Sequence, residues 1–363
     1  SLYLDENRSL WGMGDNDNGQ LGDGTLTERN QPYEISTSRG ILDFAHGMDH
    51  TLYVEDDGSL WATGDNAYGQ LGVGDLVDRN ESVKIVDANV TAVAAGMHHS
   101  VFVKRDGSLW TMGRNDYGQL GNGNGLQQTT PTKVVVAGVV SIAAGSHHTC
   151  FVKWDGSLWT VGLNANGQLG NGFTNNLIAP GPIEFSGVSV VAAGERHSLY
   201  LKSDGSLWGM GYNANGQLGD SDTADRSTRF KVVDSNVTAV AAGPLHSFYV
   251  DANGSLWGAG SNAYGQLGDG TTLDRNVSFV QIVEANVTDV TAGFGHSFYL
   301  DANGSLRGMG LNSNGQLGLG DNVNRTSPVE VVAGGAYRLS GHGVLEGHGS
   351  RFSLYADVNG SLW

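Results

Sequence analysis

Asn16-Asp17-Asn18-Gly19-Gln20-Leu21-Gly22 is the first of seven copies of one pattern, Asn-x-x-Gly-Gln-Leu-Gly. The other copies begin at Asn66, Asn115, Asn164, Asn213, Asn262 and Asn312, so successive copies stand 50, 49, 49, 49, 49 and 50 residues apart. A near-constant period of this size means that one supersecondary unit is repeated along the chain. Working outward from the pattern shows what that unit contains. Upstream lies a hairpin signal, an Asp-Gly or Asn-Gly pair between short apolar runs, as at Asp57-Gly58, Asp106-Gly107, Asp155-Gly156, Asp204-Gly205, Asn253-Gly254, Asn303-Gly304 and Asn359-Gly360. Further upstream is a run of small residues ending in Gly-x-x-His, as in Val93-Ala94-Ala95-Gly96 before His99. Downstream comes a polar loop that often holds an Arg (Arg29, Arg79, Arg226, Arg275, Arg325), then a fourth β-rich run such as Lys133 to Val136.

No segment carries helical periodicity over ten residues, so each repeat reads as four strands. Four-stranded units of this length, repeated seven times, predict an all-β fold, a seven-bladed β-propeller of four-stranded antiparallel blades. Strand chemistry agrees. In Ser108-Leu109-Trp110 and Phe102-Val103 neighbours of opposite parity are both apolar, as a blade buried on both faces requires. The small residues of Val93 to Gly96, repeated at Ile142 to Gly145, Val191 to Gly194 and Val240 to Gly243, suit the innermost strand, where blades crowd the axis.

The chain of 363 residues is expected to form a single propeller domain of 49–50-residue repeats, with a partial extra repeat at 353–363. That extra stretch, Ser353-Leu354-Tyr355 to Trp363, duplicates the register of Ser1 to Trp11. An eight-bladed or imperfectly closed ring is the alternative it raises. The most divergent stretch is 334–351, where Val344-Leu345-Glu346-Gly347 is the expected strand.

Composition narrows the function classes. With 20 Lys plus Arg against 37 Asp plus Glu the net charge is −17, and no basic cluster interrupts the acidic background, which argues against a nucleic-acid partner. No apolar run is long enough for a membrane-spanning helix. The single cysteine, Cys150, occupies a strand slot held by Val101, Leu199, Phe248 and Phe298 elsewhere and reads as a buried apolar residue. The Asn-x-Ser/Thr sequons, Asn89, Asn236, Asn253 and Asn286 among them, matter only on a glycosylating route. Location is undetermined by these features, with an extracellular or cell-surface one preferred.

Gly-Gln-Leu-Gly, Ala-Ala-Gly-x-x-His-Ser and Asp-Gly-Ser-Leu-Trp together resemble the repeats of the regulator of chromosome condensation family, over nearly the whole chain. The resemblance implies a seven-bladed propeller, closest in style to uncharacterised bacterial members. It leaves function open. The namesake is a nucleotide-exchange factor for a small GTPase, while other members are a plant UV-B photoreceptor, a bacterial β-lactamase inhibitor and bacterial surface modules.

The histidines His50, His99, His148, His197, His246 and His296 share one repeat slot. A zinc site needs three or four ligands around one ion, whereas one His per blade spreads them around a circle, so each is expected to be half-buried and bonded to backbone. Asp15 to Gly19 imitates the start of a calcium loop, but position twelve is Leu26 and sister repeats hold Ala in place of Asp17. Neither a metal nor another cofactor is expected. No Gly-x-Ser-x-Gly elbow, Walker loop or His-Glu-x-x-His is present, and no enzyme is expected.

Variation against the constant background marks the candidate site. Between the Gly and His of each inner loop stand two residues that change in every repeat: Met48-Asp49, Met97-His98, Ser146-His147, Glu195-Arg196, Pro244-Leu245 and Phe294-Gly295, with Ser350-Arg351 the expected seventh pair. All should emerge on one face near the axis, as a recognition surface for a protein or glycan. In the photoreceptor and the inhibitor that the repeats resemble, this slot is used for contact with partner or protomer. The alternative drawn from the resemblance, an exchange factor for a small GTPase, requires an inserted wedge or acidic loop, for which the uniform spacing leaves no room among the first six repeat intervals. The seven Gln of the pattern (Gln20, Gln70, Gln119, Gln168, Gln217, Gln266, Gln316) are expected to be buried and bonded to loop backbone.

Overall fold

The computed structural model describes residues 1–36, 40–339 and 343–344. They form seven sheets arranged in a ring. Blades 1 to 6 follow the chain, at 41–86, 90–135, 139–184, 188–233, 237–283 and 287–332. Blade 2 shows the unit: an innermost strand Val90–Ala95, then His99–Lys104, Leu109–Gly113 and the outermost Gln128–Val135, each antiparallel to the one before. The hairpin between its second and third strands closes through the N–H of Gly107 donating to the carbonyl of Lys104 at 2.8 Å. Gly107 has φ +73°, and a Cβ there would lie 2.5 Å from the backbone N of Gly138, so this position needs glycine twice over.

Blade 7 draws on both ends of the described chain. Its innermost strand is Ala336–Leu339, paired antiparallel with Leu2–Asp5, followed by Leu10–Gly14 and Arg29–Ser36. The strand expected at Val344 to Gly347 is therefore corrected. Ala336 follows the preceding outer strand after a three-residue connector, the same length that precedes Val139, and connector length decides where the next blade can begin. Gly343–Val344 pairs instead with Ser141 and Ile142 on the innermost strand of blade 3. The extra repeat expected at 353–363 and the seventh pair Ser350-Arg351 lie outside the described residues.

The core is a set of interfaces rather than one centre. One cluster joins Leu52, Val54, Leu60 and Leu71 of blade 1 to Val93, Phe102 and Met112 of blade 2. The next joins Val101, Val103 and Leu109 to Ile142 and Phe151 of blade 3. Side chains of opposite parity on one strand, Val101 and Phe102, thus enter different interfaces, which explains the unbroken apolar runs. The last two clusters join Phe298, Leu306 and Leu317 to Tyr3, Met13 and Leu339, and Leu2, Leu4 and Leu10 to Ile41 and Phe44. Those contacts close the ring. Trp of the Ser-Leu-Trp slots stacks on the facing second-strand aromatic, as Trp110 on Phe102 with centroids 6.1 Å apart, and donates Nε1–H to the Ser108 hydroxyl at 2.9 Å.

Candidate functional site: the loop face of the ring

Innermost and third strands run in the same direction, so the Gly-x-x-His loops and the Asn-x-x-Gly-Gln-Leu-Gly loops emerge on one face. Within each blade the two are joined by backbone. The second residue of each variable pair accepts, through its carbonyl, the N–H of the residue just after the third strand: Asp49 from Asp65, His98 from Arg114, His147 from Leu163, Arg196 from Tyr212, Leu245 from Ser261 and Gly295 from Leu311, at 2.7 to 2.8 Å. The Gly before each pair has a steric cause. A Cβ on Gly96 would stand 2.1 Å from Cε1 of His99 and 2.5 Å from the carbonyl oxygen of Gly145 on the next blade.

The repeated histidines are fully buried in blades 1 to 5, where half-burial was expected, and their partner is a hydroxyl rather than backbone. Nε2 of His50 bonds the hydroxyl of Ser100 at 3.0 Å, His99 that of Thr149 at 3.0 Å, His148 that of Ser198 at 2.9 Å, His197 that of Ser247 at 2.8 Å, His246 that of Ser297 at 2.9 Å and His296 that of Ser1 at 2.8 Å. Each hydroxyl belongs to the neighbouring blade. Ser100 in turn donates to the carbonyl of Gln70 at 2.7 Å, Thr149 to that of Gln119 at 2.8 Å and Ser198 to that of Gln168 at 2.9 Å. Because the hydroxyl proton goes to a carbonyl, the hydroxyl oxygen accepts from histidine, which fixes the Nε2–H tautomer. Burial holds His50, His148, His197, His246 and His296 neutral, with pKa values pushed down to about 3. Their Nε2 atoms are committed around a circle. Among the described residues no group of His, Cys, Asp or Glu has the arrangement of a metal site.

The loops themselves are built on Asn rather than Gln. Asn115 is fully buried, accepts the N–H of Leu120 at 3.0 Å, and donates to the Asn122 side chain at 3.0 Å and the carbonyls of Asn124 and Leu126 at 2.9 and 3.0 Å. Gln119 accepts the N–H of Tyr117 at 3.0 Å. The expectation of buried, backbone-bonded Gln holds for six copies, Gln20 to Gln266, while Gln316 is half-buried and also accepts from backbone, the N–H of Asn314.

A sequence model of the regulator of chromosome condensation (RCC1) repeat matches residues 9–54, 57–103, 106–152, 155–201, 204–250 and 253–300. The chain belongs to the RCC1 repeat family. Curated protein sequences contain no significant match. Among solved structures, human WBSCR16 is 25% identical with a TM-score of 0.79, covering 89% of this chain and 93% of that one. Yeast RCC1 (Prp20), in complex with Kap60, is 23% identical with a TM-score of 0.80 over 95% of this chain and 91% of that one. Prp20p from Saccharomyces cerevisiae, described with its binding to Gsp1p and histones, is 23% identical with a TM-score of 0.79 over 95% and 94%. The last two likenesses show the fold alone.

On this RCC1-repeat ring the variable pairs have different fates. Met48 and Phe294 are 59% and 69% exposed, and Arg196 is exposed. Asp49, Met97, His98, Ser146, His147, Glu195, Pro244 and Leu245 are half-buried, and Gly295 is buried. The second residue of a pair is often covered by the Asn-x-Tyr turn of the preceding blade: His98 lies 4.9 Å from the Tyr68 ring, His147 lies 5.1 Å from that of Tyr117, and a Cβ on Gly295 would meet Tyr264 at 2.9 Å. Arg114 sits over Tyr68 at 4.8 Å. Burial lowers the pKa of His98 and brings that of His147 down to about 4, so both are neutral near pH 7.

Sequence reasoning missed Tyr68, Arg114, Tyr117 and Tyr264. It also missed a crown of apolar loop tips: Leu26, Leu76, Val77, Leu126, Phe173, Leu273 and Val323, each about half exposed or more. A signal was present, since a large apolar residue stands nine to eleven positions after the motif Asn in six of seven RCC1 repeats. It was hidden inside loops that are otherwise polar.

Proposed function

We propose that this RCC1-repeat propeller is a non-enzymatic binding module whose loop face docks a protein, with Met48, Met97 and Phe294 near the axis and the apolar loop tips at the rim. One observation carries the reading. More than half of the large apolar side chains that the described structure leaves exposed stand on this one face, where water gains nothing from them and a partner surface would. Apolar contact favours a protein over a glycan here. The yeast relative seen with Kap60 supports protein docking as a use of the fold. Exchange on a small GTPase is the competing reading, since Prp20p is described with Gsp1p. Among the described residues the loops keep one length from blade to blade, which offers such a wedge no carrier there.

The test replaces Met48, Met97 and Phe294 by Ser and measures affinity for each protein captured by the unmodified chain. A loss of about tenfold or more, with unchanged thermal stability, supports the loop face. Unaltered affinity for every captured protein removes it. Acceleration of nucleotide release from any of a panel of small GTPases would replace it with the exchange reading.

A further inference from the structure

On the opposite face, the three most exposed large apolar side chains of the described chain belong to the blade 3 hairpin and the connectors on either side of that blade: Trp154 at 80%, Val136 at 78% and Phe185 at 76%. Trp154 is at the tip of the blade 3 hairpin, where sister hairpins carry Glu6, Asp56, Arg105, Ser203, Ala252 and Ala302. Val136 and Phe185 open the connectors that flank this hairpin, in the slot that holds Asp87, Asp234 and Glu284 elsewhere. In these two slots a large apolar residue stands only at these three places, on the blade 3 hairpin and the connectors on either side of it. The Trp154 backbone N–H donates to the carbonyl of Gly138 at 2.8 Å, as its counterparts do in the sister hairpins, and the ring lies so close to Gly138 that a Cβ there would meet Cδ1 at 3.0 Å.

Beside the indole is a recess of about 370 Å³ lined by Trp154, Asp155, Gly187, Ser189 and Ser203, among others. Three of its side chains can accept. The Ser203 hydroxyl already donates to the carbonyl of Gly187 at 3.1 Å and the Ser189 hydroxyl to that of Leu201 at 3.3 Å, so both offer lone pairs outward. Asp155 is exposed and held ionised by the Ser157 hydroxyl and N–H, which donate to its Oδ1 and leave Oδ2 outward, while Lys153, also on the lining, lays its ammonium over the Trp159 ring at 4.0 Å. A ligand with an apolar face for the indole and donor hydroxyls for the rim matches these groups, and the Asp155 carboxylate disfavours an anion.

We infer that Trp154, Asp155, Ser189 and Ser203 form a binding site for a neutral pyranose, stacked by its C–H face on the indole with its hydroxyls donating to the carboxylate and the two serine oxygens. The site lies on the other side of the ring from the docking face and stands or falls independently of it.

The experiment titrates the intact chain with neutral gluco-, galacto- and manno-configured oligosaccharides, and with sialylated and uronic-acid ones, following the indole N–H signal of Trp154 by NMR. The signal is assigned among the eight tryptophans by the Trp154→Phe variant. A saturable shift with at least one neutral series and none with the acidic ones is expected. Trp154→Ala should weaken that binding about tenfold or more at unchanged melting temperature, and Trp154→Phe should retain part of it. No shift with any neutral saccharide up to about 10 mM overturns the inference. So does undiminished binding by Trp154→Ala, or loss by that variant of a captured protein in place of a saccharide.

Discussion

Asp43 and Arg338, on the innermost strands of blades 1 and 7, form a 2.9 Å ion pair in which Asp43 is only 2% exposed. Arg338 also donates to the carbonyl of Leu42 at 2.8 Å, while Asp43 accepts the N–H of Val93 on blade 2 at 2.9 Å. One carboxylate therefore ties three consecutive blades at the seam where the ring closes.

Removing Arg338 leaves that carboxylate buried without its cation. Arg338→Met is expected to destabilise the fold by about 3 kcal/mol. The double variant Arg338→Met, Asp43→Asn should be less destabilised than the single one, because the uncompensated charge is gone. Urea unfolding of the two singles and the double gives the coupling directly, and additive effects would show that the pair contributes nothing to closure.

Asn of the motif should matter more than Gln. Asn164 satisfies the N–H of Leu169 and donates to the Asn171 side chain and to the carbonyls of Phe173 and Asn175, whereas Gln168 accepts one N–H and its buried Nε2 finds no protein partner. Asn164→Leu strands the buried N–H of Leu169, at about 1–3 kcal/mol, and takes the donor from the carbonyls of Phe173 and Asn175 as well. Gln168→Leu strands one N–H only, so its loss in stability should be the smaller in a paired denaturation measurement.

Acid should unfold the ring before its carboxylates protonate. His50, His148, His197 and His246 have folded pKa values near 3, below the 6.5 of the unfolded chain. Between these limits the unfolded state binds the protons and the folded state does not, so stability is full above about pH 6.5 and falls as pH drops. Each such histidine contributes about 1.4 kcal/mol per pH unit, or roughly 5 kcal/mol per unit for the four, set against a total of about 5–15 kcal/mol. Unfolding is expected between about pH 4 and 6. Asp106 and Asp204, held low by the Ser108 and Ser206 hydroxyls, lose their contribution only below the ordinary carboxylate pKa. Circular dichroism against pH measures the midpoint, and His148→Asn should make the transition shallower by about one proton.

Gly145→Ala tests the close approach behind the candidate face. A Cβ there would stand 2.1 Å from Cε1 of His148 and 2.5 Å from the carbonyl oxygen of Gly194. Both neighbours are fixed by the adjoining blade, so the variant should lose about 1–3 kcal/mol or more through overpacking. A melting temperature equal to that of the unmodified chain would show that the inner loops are looser than their geometry implies.

Period, strand chemistry and hairpin signals made the blade legible, because each depends on residues within one repeat. Ala94-Ala95-Gly96 belongs innermost, Trp110 packs on its own hairpin, and Leu120 is buried wherever the repeat is drawn. The buried state of Cys150 was legible for the same reason, since its slot is apolar in every sister; burial pushes its thiol up to about 12. Relations between repeats were not legible. His99 meets Thr149, 50 residues on, because ring curvature lays one blade's loop against the next blade's second strand, and a periodic sequence does not say which neighbour or which atom. The seam is the same case. Ala336–Leu339 joins Leu2–Asp5 because only the closed ring brings that edge within hydrogen-bonding reach, and the burial of Asp43 against Arg338 follows from that closure.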